Sequence, residues 1–167
     1  VMKDNIVLIG MPGVGKSTVG VILAKMIGYQ FIDADLLIQK QEGKLLHEII
    51  AEKGTDGFIE IEERVNASIE ASHTIIATGG SVVYGKKAME HLSRIGTVVY
   101  LKVPYDTLEK RLEDIKGRGV VLKEGQTLRT LYDERTPLYE KYADIEISED
   151  DLNVEQTVEK LLERLNK

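Results

Sequence analysis

The chain reads as an α/β domain: a mostly parallel sheet covered by helices on both faces. Three observations carry that reading. Short apolar, β-branched runs alternate with stretches of helical periodicity along the whole sequence. The first apolar run is continuous rather than alternating, as a strand buried on both faces requires. The 167 residues, 43% of them hydrophobic, suffice for one domain with its own core, and no repeat, linker or low-complexity segment divides them.

Asn5–Gly10 (NIVLIG) is that first strand, closed by glycine. Lys16–Ile27 follows as a helix with Val19, Ile22, Leu23 and Met26 at helical spacing, and Gly28 supplies its stop. A short strand around Tyr29–Ile32 runs into Asp33. Helical patterns then cover about Leu45–Glu52 and Phe58–Ala71, the latter with Phe58, Ile61, Val65 and Ile69 on one face. A third strand, Thr74–Thr78, ends in Gly79-Gly80. After a helix near Lys86–Ile95, the β-branched run Thr97–Val103 is the fourth strand. Helix continues to about Ile115, before a glycine-spaced stretch from Gly117 to Gly125. The helix Thr127–Ala143 leads to a last strand, Ile145–Ser148. A final helix opens at Asn153 with Gln156 three residues on, a variant capping box, and buries Val154, Val158, Leu161, Leu162 and Leu165. The acidic run Glu146–Asp151 reads as a solvated turn.

Composition excludes several classes. The 22 Lys and Arg against 28 Asp and Glu leave a net charge of -6, which argues against nucleic acid or an anionic membrane surface as the main partner. The tyrosines show no basic interleaving that would change this. No apolar run approaches the ~20 residues of a membrane span. Zero cysteines rule out disulfides, thiol catalysis and thiolate metal sites, and fit a cytoplasmic location. The segment Val1-Met2-Lys3-Asp4-Asn5 does not have the form of a signal peptide. Val1 is set aside, giving one domain over residues 2–167. His47, His73 and His91 lack metal-ligand spacing and are expected at or near the surface.

Gly10-Met11-Pro12-Gly13-Val14-Gly15-Lys16-Ser17 matches G-x-x-x-x-G-K-[ST] in full, directly after a predicted strand and opening a predicted helix. Its glycines let backbone N–H groups converge on phosphate oxygens, and the helix N-terminus adds its positive end. Gly10, Gly13, Val14, Gly15, Lys16, Ser17 and Thr18 are therefore candidate nucleotide contacts. Lys16 is suited to the β- and γ-phosphates and Ser17 to Mg²⁺. A glycine-rich turn with a chance Lys-Ser is the bland alternative, and the context sets it aside. Absences narrow the class. No guanine-reading Asn-Lys-x-Asp is present, the third strand ends without a Walker B Asp, and no Asp-Gly-Phe-Pro-Arg-like sequence of adenylate kinases appears. A small phosphotransferase acting on a small molecule remains.

Asp33-Ala34-Asp35 closes the second strand, and ligands of open α/β sheets sit beyond the carboxyl ends of strands. In a strand-like D-x-D both side chains point the same way. One would serve the metal, and the other would accept a hydrogen bond from an attacking hydroxyl. A helix N-cap plus a surface acid is the competing reading of the same residues.

With these residues in place, the chain resembles the shikimate kinases from Asn5 to the C-terminal helix. The likeness rests on the Gly-x-x-Gly-x-Gly-Lys-Ser loop, Asp33-x-Asp35, Thr78-Gly79-Gly80, Arg118 in the glycine-spaced stretch, and Arg135-Thr136-Pro137-Leu138-Tyr139. The resemblance implies a P-loop kinase fold of three α/β/α layers with sheet order 2-3-1-4-5. It also implies a short mobile lid at about 116–125 and an acceptor-binding segment at about 33–62. The implied activity is transfer of the ATP γ-phosphoryl to the 3-hydroxyl of shikimate, giving shikimate 3-phosphate, by a cytoplasmic monomer. Lys16 and Arg118 would stabilise the transferring phosphoryl, and Ser17 and Asp33 would hold Mg²⁺. Asp35 would orient the acceptor hydroxyl and can act as its base. Gly79 and Gly80 would line the acceptor site, Arg135 would grip the acceptor carboxylate, and Arg111 would pack on adenine. Read on their own, Arg118 is equally a solvated loop residue, Arg111 a solvated helix residue paired with a nearby acid, and Arg135 part of an architectural proline kink.

Two positions depart from the family pattern. Where Phe-Arg-x-x-Glu is usual, the chain reads Phe58-Ile59-Glu60-Ile61-Glu62, and Ser81 stands at a third glycine. Arg64 is no replacement, since five residues along a helix rotate it away from Ile59. Losing one hydrogen bond to a charged group, about 1.5–3 kcal/mol, would weaken acceptor binding roughly 10- to 100-fold. Three readings follow: a shikimate kinase with altered binding, a relative acting on another small polyol or hydroxy acid, or a nucleotide-binding regulator without turnover.

Overall fold

In the computed structural model, which describes residues 4–114, 125–149 and 153–166, the strands form a single parallel sheet. The central strand β1 (Asn5–Ile9) pairs with β3 (Thr74–Ala77) on one side and β4 (Gly96–Lys102) on the other. The edges are β2 (Gln30–Asp33) beside β3 and β5 (Ile145–Ser148) beside β4, giving the expected order 2-3-1-4-5. Every residue of β1 is buried, so both faces of the sheet are covered. Its neighbours Val7, Ile76 and Val98 are wholly inaccessible to water and form the middle of the core.

The helices are α1 (Lys16–Ile27), α2 (Ala34–Glu42), α3 (Leu46–Ala67), α4 (Lys86–Ile95), α5 (Tyr105–Asp114), α6 (Leu128–Tyr142) and α7 (Val154–Leu165). α1 packs with α7, and α3 packs with both α2 and α4. Gly28 ends α1 in the left-handed conformation, with φ 74°, as its position predicted. Asn153 and Gln156 make the reciprocal bonds of a capping box at the start of α7. Among the described residues no helix is long and apolar enough to cross a membrane.

Four expectations are corrected. The segment after Asp33 is not extended: α2 begins at Ala34, so Asp35 lies in a first helical turn rather than on a strand. The two helical patterns around residues 45–71 meet at Gly54, whose φ 74° and ψ 176° break the helix between them, and the second ends at Ala67 rather than Ala71. Met26 is 57% exposed rather than in the core, because only Val19, Leu23 and the small Gly20 and Ala24 of that helix face turn fully inward. Glu149 is buried rather than solvated, with its backbone N–H bonded to Lys102 O beyond the end of β5. The expected lid at about 116–125, including Arg118, lies outside the described residues except for Gly125. His47 and His73 are exposed, and His91 is partly buried against Ile69 O, 2.6 Å away.

Candidate active site

The phosphate loop joins β1 to α1 at the carboxyl end of the sheet. Gly15 caps α1 in the left-handed conformation (φ 87°), which a side chain would strain, and no side chain fills the cap. The first N–H groups of α1 are thus left for an anion, as helix N-termini without a side-chain cap are. Val14, 2% exposed, roots the loop in the core. Lys16 is buried along its stem, and its Nζ donates to Gly10 O at 2.7 Å and Met11 O at 2.9 Å, holding the cation across the loop.

Asp33 ends β2 in register with Ala77 of β3, so the chain beyond each strand emerges at the same level. Ser17 Oγ donates to Asp33 Oδ2 at 2.9 Å. Asp33 Oδ1 accepts the backbone N–H groups of Asp35 (2.9 Å) and Leu36 (3.2 Å). Asp33 is therefore the N-cap of α2 and the partner of Ser17 at once. Among the described residues no three His, Cys, Asp or Glu side chains cluster as a metal cage. Mg²⁺ needs no such cage: it takes one or two protein oxygens alongside phosphates and waters, and the Ser17–Asp33 pair beside the loop is a donor set of that kind.

Beyond β3, Thr78 is tied to β1 through its N–H and Oγ1, both donating to Leu8 O (3.2 and 2.8 Å). Gly79 and Gly80 then form a floor on which a side chain would crowd its neighbours. A Cβ on Gly79 would lie 2.6 Å from Asp35 Oδ1 and 2.8 Å from Glu62 Oε2; one on Gly80 would lie 2.6 Å from Pro12 Cδ and 2.9 Å from Arg135 Nη1. Arg135 is 1% exposed, its guanidinium 5.3 Å from the ring centre of Tyr84. One turn along α6, Tyr139 stacks on Tyr100 of β4 at 5.1 Å and donates its hydroxyl to Gly80 O at 2.6 Å. Burial pushes the Tyr139 hydroxyl well above the usual phenol range, so it stays a donor.

Glu62, on α3, is 1% exposed and accepts the Ser81 hydroxyl at 2.5 Å. Burial pushes its carboxyl up to about 8; the Ser81 bond opposes this, the charge of Asp35 adds to it, and Arg135 and Lys16 draw it down.

A cavity of about 230 Å³ runs from the phosphate loop to Arg135. It brings together Gly13, Gly15, Lys16, Ser17, Thr18, Asp33, Asp35, Gly79, Gly80 and Arg135 of the predicted set. Gly10 and Val14 support the loop from beneath and do not line it. Arg111 stands outside the cavity, its Nη1 3.5 Å from Gly13 O, and its charge acts on Glu149, whose carboxyl burial raises to about 7. The sequence pattern carries no role for Leu46, Thr78, Tyr84 or Tyr139, and marks Phe58 and Glu62 only as a frame. Helical spacing offered a signal for three of them: Phe58 and Glu62 are four residues apart on one helix face, and Tyr139 stands four residues from Arg135 on another. Ile59 is partly buried and does not line the cavity, while Arg64 turns outward to Glu42 at 3.2 Å. Lys16 and Arg135 are the cations among the described lining residues.

Comparison with known proteins agrees with this geometry. The family model described as shikimate kinase matches residues 12–166. A shikimate kinase of Clostridium botulinum is 43% identical over 143 residues, 83% of this chain and 84% of that protein. One of Persephonella marina is 33% identical over 162 residues, covering 96% and 98%. Among solved structures, the shikimate kinase of Acinetobacter baumannii in complex with shikimate superposes with a TM-score of 0.85 at 32% identity, covering 97% of this chain and 92% of that one. Sheet order, phosphate loop, glycine floor and sequence likeness lead to one conclusion: the chain belongs to the shikimate kinase family.

Proposed function

We propose that this protein transfers the γ-phosphoryl group of ATP to the 3-hydroxyl of shikimate, with Mg²⁺ as cofactor, giving shikimate 3-phosphate. The observation that carries the reading is one cavity in which a complete phosphate loop faces Asp35 on one side of a glycine floor and buried Arg135 on the other. Phosphoryl transfer asks a protein mainly for positioning and for charge in the right place. Lys16 supplies positive charge at the loop mouth. Asp35 accepts a hydrogen bond from the acceptor hydroxyl and orients it, and Arg135 pairs with the acceptor carboxylate. Tyr139 fixes the backbone of Gly80 beneath the acceptor. Ser17 and Asp33 would hold Mg²⁺, which supplies neutralisation of phosphate charge when bound. Arg111 is assigned to adenine, and Arg118 to the transferring phosphoryl, by the resemblance. Residues 2–167 are taken as a single domain with its acceptor-binding segment at about 33–62, acting as a cytoplasmic monomer on small molecules.

Ile59 and Ser81 favour one second reading, in which the acceptor is a related polyol or hydroxy acid of lower negative charge. Mg²⁺-ATP-dependent ADP release, measured in parallel with shikimate, quinate, gluconate, inositol and nucleoside monophosphates, separates the two. Saturable turnover with shikimate alone is expected; preference for another acceptor supports the second reading, and binding without turnover leaves a regulator. In a site built for shikimate, Ile59→Arg lowers the shikimate KM about 10-fold or more, by restoring a hydrogen bond to a charged group. An unchanged or raised KM means the pocket is organised around something else.

A further inference from the structure

Glu62 has no part in the chemistry above, yet it forms the back wall of the acceptor cavity. Its two carboxyl oxygens have different surroundings. Oε1 accepts the Ser81 hydroxyl at 2.5 Å. Oε2 lies 2.8 Å from the point a Gly79 Cβ would occupy, and Asp35 Oδ1 lies 2.6 Å from the same point. The bare backbone of Gly79 thus brings two carboxyl groups, one from α2 and one from α3, to the same stretch of wall. The terminal torsion of a glutamate is broad, so the direction of Oε2 is set by what holds Oε1. Ser81 provides that hold from the loop that carries the glycine floor.

We propose that Ser81 is a positioning residue that fixes the Glu62 carboxyl, so that Oε2 hydrogen-bonds a second hydroxyl of the acceptor, adjacent to the one that Asp35 orients. The inference rests on the phosphotransferase reading and narrows its substrate class to vicinal diols. The two acids are complementary in this role. The charged groups facing Glu62 are Asp35 from α2, Arg135 from α6 and Lys16 from α1; burial and the charge of Asp35 hold its proton on, against the pull of Arg135 and Lys16. A protonated Glu62 offers a donor beside the acceptor oxygens of Asp35.

The test is steady-state kinetics on the intact protein with shikimate, 4-deoxyshikimate and 5-deoxyshikimate. Wild type should show a KM for 4-deoxyshikimate about tenfold above that for shikimate, from one lost hydrogen bond, and exceeding the penalty for the 5-deoxy compound. Ser81→Ala should raise the shikimate KM by a similar factor with kcat within about twofold, because the reacting groups are untouched. The same variant should leave the 4-deoxyshikimate KM unchanged, since the contact is already missing. Ser81→Thr, which keeps the hydroxyl, should restore the wild-type KM. An equal KM increase for shikimate and 4-deoxyshikimate on Ser81→Ala overturns the assignment. If Ser81→Ala does not fold, the wild-type comparison decides alone: a 4-deoxy penalty no larger than the 5-deoxy penalty overturns it. Wild type that fails to turn over shikimate at all overturns the underlying reading instead.

Discussion

Asp33 performs two tasks with two oxygens, and substitution can separate them. Oδ1 caps α2 by accepting two backbone N–H groups at 2.9 and 3.2 Å, while Oδ2 receives the Ser17 hydroxyl at 2.9 Å. Asparagine is as good an N-cap as aspartate, so Asp33→Asn keeps the cap and removes the charge, whereas Asp33→Ala removes both. Losing a cap costs about 1 kcal/mol, or about 2–4 °C in Tm for a domain of this size. Asp33→Ala should therefore melt about 2–4 °C low, and Asp33→Asn close to wild type. Both should lose activity alike. A missing hydrogen bond to a charged group, about 1.5–3 kcal/mol, corresponds to a roughly 10- to 100-fold lower kcat/KM. The Mg²⁺ concentration for half-maximal rate should rise in both. Thermal melts by circular dichroism and Mg²⁺ titrations of ADP release measure the two effects separately. An Asp33→Asn protein with wild-type rate and wild-type Mg²⁺ dependence would refute the metal-side role. Equal melting of the two variants would refute the capping role.

Gly80→Ala places a methyl group 2.6 Å from Pro12 Cδ and 2.9 Å from Arg135 Nη1, and such overpacking costs about 1–3 kcal/mol. Because these neighbours belong to the phosphate loop and the acceptor side, the KM values for both ATP and acceptor should rise, and unchanged values for both would contradict the packing seen. Stability should also depend on pH. The Glu62 and Glu149 carboxyls, raised to about 8 and about 7, hold protons more tightly in the folded protein than in the unfolded chain, where carboxyls titrate near 4.3. The stability they lend is full below about pH 4 and is lost as pH climbs to about 8. Urea midpoints at fixed ionic strength should fall between pH 5 and 8, and Glu62→Gln and Glu149→Gln should each flatten the slope. A midpoint that rises over that range in wild type, and is unaffected by both substitutions, would show that neither acid is buried as described.

The phosphate loop was legible because its function is local: backbone geometry set by a contiguous run of glycines between a strand and a helix. Sheet order came through the family resemblance, since the alternating elements alone leave it open. α2 went unread although its signals were present, a capping Asp33 at one end and Gly43 with φ 69° at the other. The pair Asp33-x-Asp35 also fits a strand end, and local pattern alone does not decide between two conformations that both bring carboxylates to the same cavity. Glu62 was hidden for a different reason. Its partner, Ser81, is 19 residues away, and the pairing exists only once α3 packs against the loop beyond β3. Glu149 sits in an acidic run whose composition says solvent; Thr157 Oγ1, 3.3 Å from its Oε1, belongs to a helix that sequence reading could place but not orient. Arg135 illustrates the limit most plainly. An arginine in a helix is ordinarily a surface residue, and only the tertiary fold turns this one inward to face Gly80 and Tyr84.

The structure of the product reveals which bond the protein makes. The protein is incubated with Mg²⁺-ATP and shikimate, and the product is examined by ¹H–³¹P correlation NMR. One new phosphate ester is expected, its phosphorus coupled to the proton on C3, formed in step with ADP. Phosphorus coupled to another ring proton, or ADP accompanied only by inorganic phosphate, would contradict it.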